Sequence, residues 1–239
     1  MTTISIGRGC QLLGISRQAY YQQLERERTQ KDRMQTIINA VLSERLLQPR
    51  IGTRKLQRLL RQSGVSVGRD RLFRLLREHR LLVPSQRAYH KTTQSHHRFR
   101  KHPNLLKPGE HQVIPLRPEQ VWVADITYLP VYQGEAYLSL VTDAYSRKIV
   151  GHQVHDNLKT ESVIGAFQQA LKQRQSRGEL IHHSDRGIQY CSAQYQALHA
   201  KHGVRCSMTD GYDCYQNALA ERVNGILKNE LLLHRPKDF

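Results

Sequence analysis

What most constrains the fold of this chain is a change of character near residue 119. Of its 239 residues, those up to 118 carry 24 Lys and Arg against 7 Asp and Glu, and the rest carry 13 of each. The whole net charge of +17 therefore lies in the first half. Hydrophobic periodicity changes at the same place, from helical spacing to strand-like alternation, so two architectures follow one another along the chain. A basic block joined to a neutral one reads as a polyanion-binding module attached to a domain with another task. A membrane surface is the poorer partner, because the basic half lacks a Trp- and Phe-rich amphipathic face. No apolar run reaches the roughly 18 residues of a membrane span, and Met1–Arg8 carries no apolar signal segment. Cys10, Cys191, Cys206 and Cys214 are scattered without a C-x-x-C pair, which fits reduced thiols in a cytoplasmic protein.

The basic half reads as short helices. Within residues 1–30, Cys10–Leu13, Gly14, Ser16 and Arg17–Leu24 spell helix, tight turn, N-cap and second helix, a short helix-turn-helix remnant. Residues 31–83 follow as a basic helix-turn-helix-like region. A helix from near Asp32 carries Ile37, Ile38, Val41 and Leu42, and another carries Arg54, Lys55, Leu56, Leu59 and Leu60. The break Gly64-Val-Ser-Val-Gly68 then leads into an Arg-rich helix, Arg69–Leu82. Leu72, Leu75 and Leu76 supply its apolar stripe, leaving Arg69, Arg71 and Arg74 for DNA. The plainer reading is a helical bundle with a solvated Arg face. Residues 84–118, punctuated by Pro84, Pro103, Pro108, Pro115 and Pro118, read as a basic linker, or as an arm following a phosphate backbone.

Residues 119–239 have a different grammar. Val121–Val131 and Ala136–Asp143 alternate as strands around a Gln133–Gly134 turn, and Lys148–Val154 makes a third. Thr160 is placed to cap a helix with Val163, Ile164, Phe167, Ala170 and Leu171 on one face. Gly178–His183 is a fourth strand, Ala193–His202 a helix, Val204–Met208 a fifth strand, and Asn217 to about Leu232 a last helix. The order β-β-β-α-β-α-β-α predicts an α/β domain with a mixed five-stranded sheet of the ribonuclease-H-like kind, preceded by the all-α DNA-binding region.

Three acids stand out by position. Asp125 lies inside the apolar strand Trp122-Val-Ala-Asp-Ile-Thr-Tyr128, where an unpaired carboxylate is costly and needs a cation, a metal or a proton. Asp185 lies in His182-His-Ser-Asp-Arg-Gly, just past the fourth strand, and Glu221 one turn into the last helix. Fifty-nine residues separate the first pair and thirty-five the second. Asp143 reads as a structural turn residue, and His182 and His183 as packing or substrate contacts. His183 and Ser184 beside Asp185 stand in no G-x-S-x-G word, and no H-E-x-x-H word occurs in the chain, which argues against a serine hydrolase triad there or a zinc peptidase.

The words W-x-A-D-I-T-Y, H-S-D-R-G and N-A-x-A-E-R-x-N-x-x-L-K-x-E together resemble the DDE transposases of the retroviral-integrase type. They are most similar to the OrfB transposases of bacterial insertion sequences of the IS-three type. The resemblance runs from about Asp32 onward. It implies a ribonuclease-H-like integrase domain whose Asp125, Asp185 and Glu221 hold two Mg²⁺ or Mn²⁺ ions, with Asp125 bridging both. It also implies cleavage and joining of double-stranded DNA at the element's ends, with a homo-oligomer assembled on DNA at the nucleoid. An upstream reading frame would supply a further DNA-binding product. The family's acidic residue before Asn217 is replaced by Gln216, and its Y-N-x-x-R-P-H tail has no counterpart after Leu233, so a catalytic domain lacking that tail is expected.

Two rival readings share these features: a non-catalytic DNA-binding repressor of the same element, and a general nuclease on the same fold. On the last helix Asn217, Glu221 and Lys228 share one face at about 100° per residue. That predicts DNA contacts from Asn217 and Lys228, with Leu219, Val223, Ile226 and Leu227 turned to the sheet.

Overall fold

A computed structural model describes residues 5–84, 102–132, 134–210 and 217–233. The chain divides into two compact units, Met1–Gln86 and Arg87–Phe239. The first is all helical, with α1 (Ile6–Leu13), α2 (Arg17–Leu47), α3 (Thr53–Gln62) and α4 (Arg69–Glu78). Ser16 caps α2 as expected, its Oγ accepting from the Ala19 amide at 3.0 Å. The two helical blocks expected on either side of residue 30 are, however, one helix of 31 residues. Neither Gly nor Pro interrupts Arg17–Leu47, and side-chain bonds such as Gln23 Nε2 to Glu27 Oε1 (2.9 Å) support its exposed stretch.

The helical core forms where α2 meets α3 and α4, through Ile37, Ile38 and Val41 against Leu56, Leu60, Leu72, Leu75 and Leu76. The α3–α4 turn is built on Gly64, whose φ of 86° is open to glycine at no steric cost, and the Val65 amide closes back on Leu60 O at 2.8 Å. Gln57 Nε2 donates to Val67 O at 2.9 Å and fixes the turn from inside. This is the helix-turn-helix pair read from the sequence.

The second unit contains β1 (Val121–Pro130), β2 (Glu135–Asp143), β3 (Ile149–His155), α5 (Thr160–Gln173), β4 (Leu180–Ser184), α6 (Ala193–Lys201), β5 (Val204–Met208) and α7 (Ala218–Asn229). The sheet order is β3-β2-β1-β4-β5. The first three strands pair antiparallel, while β1, β4 and β5 run parallel. It is the ribonuclease-H-like sheet expected from the element order. On one face Trp122, Ala124 and Val141 pack against Val163, Ala166, Phe167 and Tyr195. Helix α5 lies so close that a Cβ on Gly151 would sit 2.1 Å from Ala166 O. Its N-cap is Lys159 rather than Thr160, which is already the first helical residue, and no side chain caps it.

The expected linker is only partly one. Residues 85–101, with most of the basic arm, lie outside the described residues, as do Gln133, Cys214, Gln216 and the end of the chain from 234. The following segment belongs to the sheet unit: Leu105 is buried with Val121, Val123 and Ile181, its amide donating to Ser207 Oγ at 2.9 Å. A few apolar residues among prolines suffice when a sheet face is there to receive them.

Candidate active site

The three acids come from three elements that converge at one end of the sheet. Asp125 is held mid-strand on β1, opposite Leu140 of β2. Asp185 follows β4 directly, and parallel pairing of β1 with β4 brings the two strands side by side. Glu221 sits in the first turn of α7 and is exposed.

Asp125 is the electrostatic centre. One carboxylate oxygen accepts from the Ile126 amide at 2.9 Å, and the other accepts from Asn224 Nδ2 at 2.7 Å. Burial raises its pKa from 3.8 to about 7, and Asp185 and, more weakly, Glu221 push in the same direction; the two hydrogen bonds pull it back. Without a cation beside it, Asp125 therefore keeps a proton up to about neutrality. Asp185 is shaped by its own loop, with one oxygen accepting from the Gly187 amide at 2.9 Å. Burial lowers the pKa of the half-buried Lys228, while its attraction to Asp125 raises it, so this ammonium lies within the carboxylate field.

Hard carboxylate oxygens brought near one another fit a divalent cation. Among the described residues no three His, Cys, Asp or Glu side chains come together as a closed metal-binding set, however. Mutual repulsion of the kind that raises Asp125 opposes closing such a set without a cation.

Asn224 is the residue that sequence reasoning missed. It stands three positions after Glu221, and its signal was the Asn of the E-R-x-N word, left there without a role. The face of α7 turned inward is only in part the expected one. Ala220 and Asn224 are the buried residues of the helix and Leu219 packs on the core around Val121 and Val123 as expected, whereas Val223, Ile226 and Leu227 are only partly covered. Asn217, expected at DNA, is 7% exposed and donates from Nδ2 to Ala124 O at 3.1 Å. Its amide fastens α7 to β1.

The neighbouring groups are structural. Asp143 Oδ1 accepts from the Tyr145 and Ser146 amides (3.1 and 2.6 Å) and Oδ2 from the Glu119 amide (2.6 Å), the turn role read from sequence. His182 is buried against Phe167 with Nε2 3.1 Å from the Tyr195 hydroxyl, and burial drives its pKa well below the usual imidazole value. His183 Nδ1 pairs with Ser207 Oγ at 2.8 Å. In the helical unit Arg54, Arg69 and Arg74 are exposed and Lys55 and Arg71 half-buried. Arg69 Nε is paired with Asp70 Oδ1 at 2.9 Å.

The integrase core domain family matches residues 115–214. The 31 kDa protein of insertion element IS600 from Shigella sonnei is 37% identical over 227 residues, covering 94% of this chain and 82% of that protein. Transposase InsF for insertion sequence IS3A of Escherichia coli (strain K12) is 30% identical over 234 residues, covering 95% and 80% respectively. The HTLV-2 integrase catalytic core domain, solved in complex with magnesium, overlays with a TM-score of 0.40 at 24% identity, over 48% of this chain and 70% of that one. Similarity that runs through both units and along most of its relatives' length settles the affiliation: the chain belongs to the insertion-sequence transposases with an integrase core domain.

Proposed function

We propose that this protein cuts and joins DNA strands at the ends of its insertion element, with Asp125, Asp185 and Glu221 holding two Mg²⁺ or Mn²⁺ ions. What carries this reading is the geometry that brings Asp125 of β1, Asp185 at the end of β4 and Glu221 in the first turn of α7 into one electrostatic neighbourhood, where burial and the other two acids disfavour the charge on Asp125. A carboxyl in that state exchanges its proton for a cation at neutral pH. Bound divalent ions supply Lewis acidity for in-line displacement at a phosphorus centre. The chain's own side chains do the positioning. Ile126 N–H and Asn224 fix the rotamer of Asp125, the Gly187 amide fixes Asp185, and Asn217 ties the helix of Glu221 to β1. Lys228, two turns further along α7, contacts the DNA strand next to the acids.

Arg54, Lys55, Arg69, Arg71 and Arg74 of the helical unit hold double-stranded DNA. The protein works as a homo-oligomer, because the two ends of an element must be held together, and acts on bacterial chromosomal DNA in the cytoplasm. A product of an upstream frame is a further partner. A repressor without chemistry has no use for a carboxyl cluster whose repulsion costs stability, so catalysis is the better reading.

The test is cleavage of element-end duplex in Mg²⁺. Asp125→Asn, Asp185→Asn and Glu221→Gln should each abolish it while DNA binding persists, and EDTA should act likewise on the native protein. Cleavage at the native rate by any one variant removes that acid from the site.

A further inference from the structure

Helix α2 is about 46 Å long at 1.5 Å per residue, and its residues 22–33 are all exposed, one side of them bordering an open groove toward α4. The groove has a volume of about 620 Å³ and is lined by Gln22, Glu25, Arg26, Thr29, Gln30 and Arg33 of α2, with Arg71 of α4 on the opposite wall. These six α2 positions are spaced i, i+3, i+4, i+7, i+8 and i+11 and fall within an arc of about 140°. That is the stripe a helix presents to a partner, yet it contains no large apolar side chain, so the partner is not another hydrophobic core. Three guanidiniums face one carboxylate, and amides and a hydroxyl fill the remaining positions. The sign of the charge selects an anion. Arg33 is steadied by donation from Nη2 to Ser66 O at 3.4 Å, which leaves its other donors for a ligand. Arg71 enters from the first turn of α4, where the N-cap is Gly68 and no side chain caps the helix. From Gln22 to Arg33 the stripe spans about 16 Å, which measured along the duplex axis is the rise of about five phosphates of one strand.

We infer that the α2–α4 groove is a phosphate-backbone clamp for double-stranded DNA, with Arg26, Arg33 and Arg71 as its cationic contacts. This rests on the reading of the chain as a DNA-processing protein, and it assigns part of DNA binding to the long helix rather than to the outer face of α4 alone. Backbone contacts position a duplex without reading its sequence, so the clamp serves element ends and unrelated DNA equally. Glu25 opposes it and lowers its strength.

The experiment is a salt titration of duplex binding by the full-length protein, with an element-end duplex and a scrambled one. Removing one cation that neutralises a phosphate should lower the slope of log affinity against log salt by about 0.9, so Arg26→Ala, Arg33→Ala and Arg71→Ala combined should lower it by about 2.7. Between 50 and 200 mM salt the variant's affinity should fall by a factor about 40-fold smaller than the native protein's, equally for both duplexes. Thr29→Glu, at an exposed position whose hydroxyl only bonds back to Glu25 O, should weaken binding without disturbing the fold, and Glu25→Gln should strengthen it. Native affinity and slope in both the triple variant and Thr29→Glu would overturn the clamp while leaving DNA processing intact. Failure of the native protein to bind either duplex would instead overturn the broader reading.

Discussion

Replacing Asp125 by Asn should stabilise the metal-free protein while removing its response to metal. The carboxyl's pKa rises from 3.8 to about 7 on folding, because burial and the neighbouring acids disfavour its ionised form. Below pH 4 it is protonated folded and unfolded, and contributes nothing. As the pH rises past 3.8 the unfolded chain releases its proton first, and folding stability falls by about 1.4 kcal/mol per pH unit until the folded group ionises near 7. The total is about 4 kcal/mol of destabilisation above neutrality. Asn has the shape of the protonated acid and escapes this cost. Asn224 must then turn its amide to present Oδ1, an atom without a hydrogen-bond partner among the described residues, and imperfect geometry there takes back about 1–2 kcal/mol. Asp125→Asn should therefore be more stable than the native protein by about 2–3 kcal/mol at pH 8 in EDTA, and the difference should shrink by about 2.5 kcal/mol at pH 5. Urea melts of both proteins at the two pH values measure this, since titrating groups that do not interact with Asp125 cancel in the difference. Added Mg²⁺ should raise the native midpoint and leave the variant's unchanged. A variant less stable than native at pH 8, or a difference independent of pH, would refute the electrostatic account.

Three further outcomes follow from the same geometry. Asn224→Ala removes a donor that favours ionised Asp125, so the pH midpoint for Ca²⁺ binding, followed calorimetrically, should move upward, and an unmoved midpoint would make the 2.7 Å bond incidental. Lys228→Ala should lower the salt slope of end-DNA binding by about 0.9 without weakening divalent-ion affinity, and an unchanged slope would return this lysine to a local role. Gly151→Val should cost about 3 kcal/mol or more in thermal unfolding, because β3 and α5 leave no room for a side chain beside Ala166 O.

The acids and the sheet were legible because each depends on short-range pattern: a carboxylate in an apolar strand, a loop word after a strand, an acid one turn into a helix. What was not legible depended on partners distant in sequence. Asn224 acquires its role from Asp125, 99 residues away, and nothing in the helix itself distinguishes it from a solvent-facing amide. The inward face of α7 escapes a reading by apolar size for a related reason. Size points to Leu219, Val223, Ile226 and Leu227, but small Ala220 between two amides seats the helix against β1 with hydrogen bonds that larger residues cannot make. Helix α2 reads as two because Glu25–Arg33 has no apolar stripe, and periodicity is silent in a polar helix even when nothing breaks it. Leu105 and Val113 are too sparse among prolines to signal a packed segment, though the sheet receives Leu105 in a core with Val121 and Val123.

The continuity of α2 gives its length a meaning beyond reach. A helix advances about 100° and 1.5 Å with each residue, so the number of residues between α1 and the α3–α4 pair sets the rotational phase at which α1 is presented. One residue inserted into the exposed stretch would swing α1 through more than a quarter turn. Seven would restore its bearing to within about 20° and carry it about 10 Å outward. The count of residues in that stretch thus sets the bearing of α1 whatever the side chains along it do, and insertions or deletions there should be tolerated only in steps near a whole number of turns.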